Sequence, residues 1–327
     1  MRIFFSFVLA CVVGIAGAGY LWLHHPLSLV TPTVDLSIEP GSSGREIAAA
    51  VVESGVAINP DLLYAWFRLS GLSRQIRAGS YELNRETTPR SLLDKLVRGE
   101  EALRSVTLVE GWTFRQVREA LGKADQLKPD SKSLSADDIM QRLGKPGVPA
   151  EGHFFPDTYT YSKGSSDMAL LLRAMHAMDK RLQAAWSQRD PKSPVKTPED
   201  ALILASIIEK ETGAPADRTK IASVFSNRLA IGMRLQTDPT VIYGIGAGFD
   251  GNLRKKDLQT DTPWNTYTRN GLPPTAIAMP GKAALLASVQ PAPTRYLYFV
   301  ARGDGSSHFS TTLDEHNRAV NRYQRGQ

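Results

Sequence analysis

The feature that most constrains this chain is an uncharged, apolar run of 21 residues near its N-terminus, at positions 3–23. A helix of about 20 apolar residues is long enough to cross the roughly 30 Å hydrocarbon layer of a bilayer. Arg2 precedes the run, and the next Asp, Glu, Lys or Arg is Asp35. A positive charge before a single span keeps the N-terminus in the cytoplasm and exports the rest of the chain. The sequence therefore predicts a transmembrane anchor over residues 1–23 and a short tether over residues 24–34.

Two other interpretations of the apolar run stay open. Ala16-Gly17-Ala18 fits the pattern of small residues at a signal-peptide cleavage site, so the run is also compatible with a removed signal. Val8-Leu9-Ala10-Cys11 resembles a lipoprotein processing site, which makes Cys11 a candidate for lipidation. All three interpretations export the remainder of the chain beyond the inner membrane.

The composition excludes several classes of protein and site. Hydrophobic residues make up 42% and charged residues 22% of the 327 positions, which is typical of a chain with a buried core rather than of a disordered chain. Cysteine occurs once, and the six histidines show no His-Glu-x-x-His or comparable pair. We therefore expect no disulfide framework, no metal and no cofactor. The basic run within Leu253-Arg254-Lys255-Lys256 is brief and the chain is exported, so we expect no nucleic acid as a partner.

Cap residues and apolar spacing predict a mixture of helices and strands. The predicted helices cover residues 46–53, residues 60–69, the segment between Thr88 and Gly99, and residues 167–188. The predicted strands cover residues 78–83, 103–109 and 295–301. Because these elements do not alternate as regular βαβ units, the pattern predicts an α+β fold.

The most informative segment is a predicted helix over residues 197–212. Thr197 and Asp200 form a capping box at its start, and its middle is apolar on all sides, which predicts burial. Two carboxyl groups, those of Glu209 and Glu211, stand at its C-terminal end, where the helix dipole disfavours negative charge. Burial and the dipole both raise the pKa of a carboxyl group, as a general acid working near neutral pH requires.

The two glutamates cannot share one site, because residues two positions apart lie about 200° apart around a helix. The stripe of large side chains that includes Leu204 and Ile208 leans slightly towards Glu211. Both glutamates are also compatible with an ordinary solvated helix end, and composition alone favours that interpretation.

Polar and aromatic residues cluster in two later segments, residues 234–244 and 265–281, which we predict to be non-helical. Amides, hydroxyls and phenols on such segments suit the hydroxyl and N-acetyl groups of sugars. The alternative is a set of rigid turns, with Asp238 before Pro239 as a turn starter. Residues 151–159 have a similar aromatic and acidic composition.

Several motifs occur in an order that resembles the MltG/YceG family of membrane-anchored endolytic murein transglycosylases. In chain order they are Glu209-Lys210-Glu211-Thr212, Ser223-Val224-Phe225 with Asn227-Arg228-Leu229, the segment from Leu235 to Gly244, Asn265-Thr266-Tyr267, and Gly271-Leu272-Pro273-Pro274. The resemblance covers nearly the whole chain. One departure is Thr275, which stands where the family usually has glycine.

The resemblance implies a division of the chain and a reaction. It implies a LysM-like α/β subdomain over residues 35–100 and a mixed α+β catalytic domain over residues 101–327. The family's catalytic glutamate corresponds to Glu211 as general acid and then general base. A second carboxylate is not needed, because the C6 hydroxyl of N-acetylmuramic acid attacks its own anomeric carbon and leaves a 1,6-anhydro end. The residues that we expect to position the glycan are Gln236, Asp238, Tyr243, Asn265 and Tyr267.

The implied substrate is the bond from N-acetylmuramic acid to N-acetylglucosamine in nascent peptidoglycan strands, whose length the cleavage would limit. The implied location is the inner membrane, with a single span, the catalytic part in the periplasm and peptidoglycan synthases as partners. The net basic charge suits an anionic lipid or a peptide-bearing glycan. Two other functions stay open: a hydrolytic muramidase with Asp238 or Glu151 as second carboxylate, and a non-catalytic scaffold that binds the cell wall.

Overall fold

The computed structural model describes residues 2–325, which form two compact units. Unit 1 runs from the N-terminus to Arg104 and includes Thr160–Gly164; unit 2 comprises Ser105–Tyr159 and the chain from Ser165 onward. Met1, Gly326 and Gln327, at the ends of the predicted anchor and the predicted catalytic domain, lie outside the described residues. Helices and strands are mixed without regular βαβ alternation, so the predicted α+β class is confirmed.

Unit 1 begins with the apolar run, which forms one helix, α1 (Arg2–His24). Within it, the 21 residues Phe4–His24 are long and apolar enough to span a membrane. The lone cysteine, Cys11, is free and exposed on this helix. A signal sequence near an N-terminus can meet the same criterion of length and apolar composition, so α1 fits both the anchor and the signal interpretation.

The rest of unit 1 is a small α/β arrangement. Its elements are β1 (Ser28–Leu29), β2 (Thr33–Ile38), α2 (Gly44–Glu53), β3 (Val56–Ala57), α3 (Pro60–Leu69), β4 (Gly79–Asn84) and α4 (Pro89–Arg98). β2 and β4 pair in antiparallel register from Thr33 opposite Asn84 to Ile38 opposite Gly79, and β1 pairs with β3. Alternate residues of β2 are buried, and α2 packs on both β2 and α3. The assignment of residues 35–100 as a LysM-like subdomain stays a prediction.

Local signals in the sequence explain the helices of unit 1. Ser43 and Glu46 form a capping box at the start of α2, and Asn59 caps α3 directly before Pro60. α4 follows Thr88 and ends at Gly99, whose left-handed φ of +69° favours glycine. The predicted helices and the predicted strand of this region are therefore confirmed, with bounds that differ by one or two residues.

The boundary between the units falls within two strands, β5 (Leu103–Thr107) and β6 (Thr158–Ser162), which pair with each other. The remaining elements of unit 2 are α5 (Phe114–Lys123), α6 (Ala136–Arg142), α7 (Asp167–Trp186), α8 (Pro198–Glu211), α9 (Arg218–Ala230), α10 (Asp238–Ile245), α11 (Lys255–Gln259), α12 (Lys282–Val289), β7 (Tyr298–Ala301), β8 (Ser307–Ser310) and α13 (Leu313–Gln324). β7 and β8 form an antiparallel pair.

Helix α8 lies at the centre of unit 2. It starts at the predicted capping box, and the eight consecutive residues from Ala201 to Ile208 are buried. Helices α7, α9, α10 and α12 pack around it. The hydroxyl of Ser206, the one polar side chain in this stretch, donates to the Ile203 carbonyl and accepts the Ile277 N–H at 3.0 Å. Because each buried Leu or Ile side chain contributes about 1.5–3 kcal/mol, this packing fixes the position of the helix.

One segment of unit 2 differs in type of structure from the sequence-based prediction, and helix α12 has no predicted counterpart. Residues 234–244 are predicted to be non-helical, but α10 begins at Asp238 and continues to Ile245. Proline is tolerated in the first turn of a helix, where its missing N–H has no partner to lose, so Pro239 starts a helix here rather than a turn. α12 is a short helix with five of its eight residues buried, and no polar face marks it in the sequence.

Gly152 shows how tightly the segment beside this core is packed. Its φ is +87°, and a Cβ built at this position would lie 2.5 Å from the Cβ of the buried Ala276. Gly232 has a similar φ of +70° but open space where a Cβ would be. The two glycines therefore share a backbone conformation and differ in steric contact.

We expect Gly152→Ala to lower the free energy of unfolding by about 3 kcal/mol, since the left-handed conformation costs about 1–2 kcal/mol and overpacking adds about 1–3 kcal/mol. Gly232→Ala serves as the control and should cost only the conformational part, about 1 kcal/mol. Urea unfolding of the three proteins measures both values. Equal losses in the two variants would show that Ala276 does not restrict the position.

Candidate active site

The candidate site is built around Glu211, the last residue of α8. Its side chain is only partly exposed, and its Oε1 accepts a hydrogen bond from the hydroxyl of Thr237. Burial raises the pKa of this carboxyl, and the nearby charge of Asp238 raises it further, whereas the Thr237 hydrogen bond acts in the opposite direction. Glu211 is therefore a carboxyl that holds its proton more tightly than a solvated glutamate.

Two other threonines hold the backbone of Thr237 in place. Thr237 is buried, and its N–H donates to the Thr266 hydroxyl at 3.1 Å. The Thr240 hydroxyl donates to the Thr237 carbonyl at 2.7 Å and lies 2.9 Å from the Thr266 hydroxyl. Buried hydrogen bonds of this kind specify one arrangement, because any member left without a partner is costly.

Asp238 and Tyr267 form a second polar contact at the same end of α10. The Tyr267 hydroxyl donates to Asp238 Oδ1 at 2.6 Å, and burial together with Asp238 raises the pKa of the phenol. Tyr267 therefore stays protonated and remains a donor. Its backbone N–H donates to the side-chain oxygen of Asn265 at 2.8 Å, so Asn265 fixes the position of Tyr267.

Gln236 has an unusual backbone conformation. Its φ is +49°, in the left-handed region that few residues other than glycine and asparagine adopt. Its side chain is exposed. Its N–H donates to the Thr266 carbonyl at 3.2 Å. Such strained residues concentrate at functional sites, where the surrounding structure holds them in place.

These groups open into one cavity of about 590 Å³ in unit 2, which we call the Glu211 cavity. Its polar lining includes Glu211, Arg228, Gln236, Thr237, Asp238, Tyr267, Tyr298 and His316. Arg228 is buried, and its guanidinium donates to the carbonyls of Leu297 at 2.7 Å and Leu235 at 2.8 Å and lies 5.1 Å from the Tyr298 ring centre. Arg228 thereby ties β7 and the Gln236 segment to α9 and places a positive charge in the cavity wall.

The structure brings together four of the six predicted site residues. Glu211, Gln236, Asp238 and Tyr267 line the Glu211 cavity, as given above. Tyr243 does not line it. Asn265 is fully buried behind it, and its amide nitrogen donates to the carbonyls of residues 257, 258 and 260. Asn265 therefore supports the site without reaching the cavity.

Sequence reasoning missed Thr237 and Arg228 as components of the site. Thr237 stands between two predicted site residues, Gln236 and Asp238, so its place in the sequence is the signal that points to it. The sequence gives no sign of the role of Arg228 beyond its motif, because its partners are backbone carbonyls, which any residue supplies.

Glu209 occupies a different site, as the angular separation on the helix predicts. Its Oε2 accepts the N–H of Gly281 at 2.9 Å, at the start of α12. Burial raises the pKa of this carboxyl, and the charge of Glu110 raises it further. Within residues 2–325, no group of three or more His, Cys, Asp or Glu side chains is arranged to hold a metal ion.

Glu151 is another carboxyl of unit 2; it is buried and does not line the Glu211 cavity. Its Oε1 accepts the N–H of Phe114 at 2.9 Å, and its Oε2 accepts the Tyr243 hydroxyl at 3.1 Å. Burial raises its pKa to about 7 despite these two hydrogen bonds, which favour the charged form. Tyr243 is thereby anchored to Glu151, and its phenol pKa is raised by burial and by the carboxyl beside it.

Comparison with known proteins gives consistent matches over most of the chain. A protein-family model described as the YceG-like family matches residues 36–322. An endolytic murein transglycosylase of Bacillus subtilis (strain 168) is 33% identical over 310 residues, which cover 89% of this chain and 85% of the relative. One of Streptococcus pneumoniae serotype 2 (strain D39) is 28% identical over 361 residues, which cover 96% of this chain but only 64% of that longer relative.

A solved structure is also similar to this chain over most of its length. The crystal structure of a yceG-like protein of Listeria monocytogenes superimposes with a TM-score of 0.58 at 29% sequence identity. The superposition covers 88% of this chain and 98% of the Listeria chain.

The raised pKa of Glu151 predicts a pH dependence of stability. Between pH 4.5 and pH 7 the folded state keeps a proton on Glu151 that the unfolded state releases, so stability falls as the pH rises through this window. We expect the wild-type free energy of unfolding to fall by about 2–3 kcal/mol relative to Glu151→Gln between pH 5 and pH 7.5. Urea unfolding of both proteins at the two pH values measures this difference. Parallel pH profiles would contradict the assignment.

Proposed function

This chain belongs to the YceG-like family, and from that premise we propose that it is an endolytic lytic transglycosylase that cleaves peptidoglycan glycan strands without water. The single observation that carries the proposal is the Glu211 carboxyl, half-buried in the Glu211 cavity and oriented by the Thr237 hydroxyl. One raised-pKa carboxyl that opens into a polar cavity is what a combined general acid and base requires.

In the proposed reaction Glu211 transfers its proton to the glycosidic oxygen that leaves C1 of N-acetylmuramic acid. The Thr237 hydroxyl donates to Oε1, so Oε2 is the oxygen free to carry this proton. The C6 hydroxyl of the same sugar then attacks C1, the new C–O bond closes the 1,6-anhydro ring, and the hydroxyl proton returns to Glu211. Because nucleophile and electrophile belong to one sugar, the effective concentration is high and no enzymic nucleophile is required.

We propose that the other cavity residues position the sugar. Gln236, Asp238 and Tyr267 supply an amide, a carboxylate and a phenol on the wall beside Glu211. Asn265 acts through Tyr267, whose backbone it holds. Tyr243 contacts a different part of the strand, because it lies outside the Glu211 cavity.

The remaining parts of the chain fit an enzyme that works at a membrane. We propose that α1 is retained as a single span in the inner membrane and that unit 2 acts in the periplasm. The β2–α2–α3–β4 arrangement of unit 1 supports a LysM-like subdomain over residues 35–100 that binds glycan, followed by a catalytic domain over residues 101–327. Such an enzyme reaches strands that are being made, so we propose that it limits their length and works beside peptidoglycan synthases.

Asp238 keeps one alternative open, because it lines the same cavity as Glu211. Hydrolytic glycosidases use two carboxyl groups that flank the bond they cleave. Glu151 does not serve as this second carboxyl, since it lies outside the Glu211 cavity. Hydrolysis adds one water to each product and transglycosylation adds none, so product mass decides between the two reactions.

We expect Glu211→Gln to fold normally and to lose at least about 100-fold in rate, because proton transfer contributes about 10²–10⁴-fold to such reactions. Glu209→Gln is the matched control and should keep most of the activity, since Glu209 faces Gly281. The measurement is digestion of purified peptidoglycan followed by mass spectrometry for anhydro ends. Full activity of Glu211→Gln would overturn the assignment, and hydrated products from the wild type would favour the muramidase.

The substitution Gln236→Gly tests whether the strained backbone at this position orients a side chain that binds substrate. Glycine relieves the left-handed conformation, so we expect the free energy of unfolding to stay unchanged or rise by up to about 1 kcal/mol. The catalytic efficiency should fall about tenfold, because one hydrogen bond in the cavity is lost. Gln126→Gly is the control: Gln126 has a φ of +55° and an exposed side chain, and it does not line the Glu211 cavity. A loss of activity in both variants would point to a general effect on folding.

A further inference from the structure

A second large cavity of unit 2 has no part in the bond cleavage described above. Its volume is about 700 Å³, and its wall includes Ile242, Tyr243, Phe249 and Trp264. We call it the Tyr243 cavity.

The Tyr243 cavity adjoins the Glu211 cavity through two pairs of neighbouring residues. At the end of α8, Lys210 lines the Tyr243 cavity and Glu211 lines the Glu211 cavity. At the start of α10, Pro239 lines the Tyr243 cavity and Asp238 lines the Glu211 cavity. Since consecutive Cα atoms are about 3.8 Å apart, the walls of the two cavities come within a few ångströms of each other at α8 and α10.

The inner wall of the Tyr243 cavity is aromatic, and the polar groups of these aromatic side chains already make hydrogen bonds within the protein. The rings of Tyr243 and Trp264 meet edge to face, with centres 5.5 Å apart. The Tyr243 hydroxyl donates to Glu151, and the indole N–H of Trp264 donates to the Thr275 hydroxyl at 2.9 Å. A ligand in this cavity therefore meets ring faces and aliphatic groups, which favour apolar surface rather than specific hydrogen bonds.

Two cations stand on the wall of this cavity, those of Arg115 and Lys210. Both side chains are exposed; the Arg115 guanidinium lies 4.0 Å from Glu119, and Lys210 Nζ lies 3.3 Å from the Gly111 carbonyl. The acidic group of the lining is Glu151, whose two oxygens already accept protein hydrogen bonds. The cavity thus combines an apolar floor with two cations whose existing contacts are long.

We propose that the Tyr243 cavity binds the acidic peptide stem of a muramic acid residue, with a stem carboxylate held by Arg115 and Lys210. The proposal rests on the proposed function. The glycan backbone of peptidoglycan is neutral once the lactyl carboxyl is joined to a peptide, so a free carboxylate next to the cleaved bond belongs to the stem. Cations beside an apolar floor fit the alternation of carboxylates and alanine-like side chains in such a stem. The enzyme accordingly discriminates strands that carry stems from strands that have lost them.

The test compares the full chain in detergent on two probes: uncrosslinked glycan strands with intact peptide stems, and the same strands after an amidase has removed the stems and the lactyl carboxyl that this exposes has been converted to a neutral methylamide. The variant is Arg115→Gln combined with Lys210→Gln. The control is Lys196→Gln combined with Arg295→Gln, which removes the same charge from two exposed side chains that line neither cavity. The readout is the ratio of kcat/KM on stem-bearing strands to kcat/KM on stem-free strands.

We expect this ratio to fall about tenfold or more in the cavity variant, equivalent to about 1.4 kcal/mol of binding, and to keep its wild-type value in the control. The wild-type ratio should also fall at high salt, which screens exposed charges, and the ratio of the variant should not. An unchanged ratio in the variant, or an equal loss on both probes, would overturn the peptide-stem assignment. Failure of the wild type to cleave either probe would instead contradict the proposed function.

Binding in the Glu211→Gln background gives a second measurement that does not depend on turnover. With cleavage removed, the dissociation constant for stem-bearing strands should rise about tenfold on adding the two cavity substitutions. The dissociation constant for stem-free strands should change much less. Equal changes for the two probes would contradict the proposal even if the kinetic variants were too slow to compare.

Discussion

The contact between the Thr237 hydroxyl and the Glu211 carboxyl is the interaction on which the candidate site depends. A carboxyl at the C-terminal end of a buried helix loses solvation and meets the negative end of the helix dipole, so it needs a donor to fix its orientation. Thr237 is that donor, and it cannot move freely because Thr240 and Thr266 hold its backbone. On the other side, eight consecutive buried residues hold α8 itself. The position of the carboxyl is therefore set by core packing on one side and by a small polar network on the other.

Helix α10 connects this site to Glu151. Thr237 stands at its N-terminus, and Tyr243, further along the same helix, donates to the Glu151 carboxyl. Glu151 also accepts the N–H of Phe114 at the start of α5, where the dipole favours a negative charge by about 0.3–1 kcal/mol. Burial is the larger effect, because the pKa still rises to about 7, which corresponds to about 3 kcal/mol against ionisation. The Glu151 carboxyl is thus hydrogen-bonded to the helix whose first residues line the Glu211 cavity.

The sequence predicts well those features that depend on local or periodic signals. The capping box and the uniformly apolar middle of α8 predict a buried helix, and the angle between Glu209 and Glu211 predicts that they serve different sites. Features that depend on tertiary contacts could not be predicted from the sequence. α10 was missed because proline and aspartate signal a turn as strongly as a helix start, and α12 because it has no polar face. The role of Asn265 was missed because an amide that binds sugar and an amide that caps three carbonyls have the same sequence signature.

The two carboxyls of the Glu211 cavity stand at opposite ends of two helices, and this placement separates their roles. Glu211 ends α8, where the dipole and burial both favour the neutral acid. Asp238 lies in the first turn of α10, where the dipole stabilises a negative charge, and the Tyr267 hydroxyl donates to it. The charge of Asp238 in turn raises the pKa of Glu211. A cavity arranged in this way keeps one carboxyl ready to give up a proton, while the other stays hydrogen-bonded to Tyr267. That division suits the proposed transglycosylase reaction, whose nucleophile comes from the substrate and in which we propose that Asp238 holds the sugar rather than activating water.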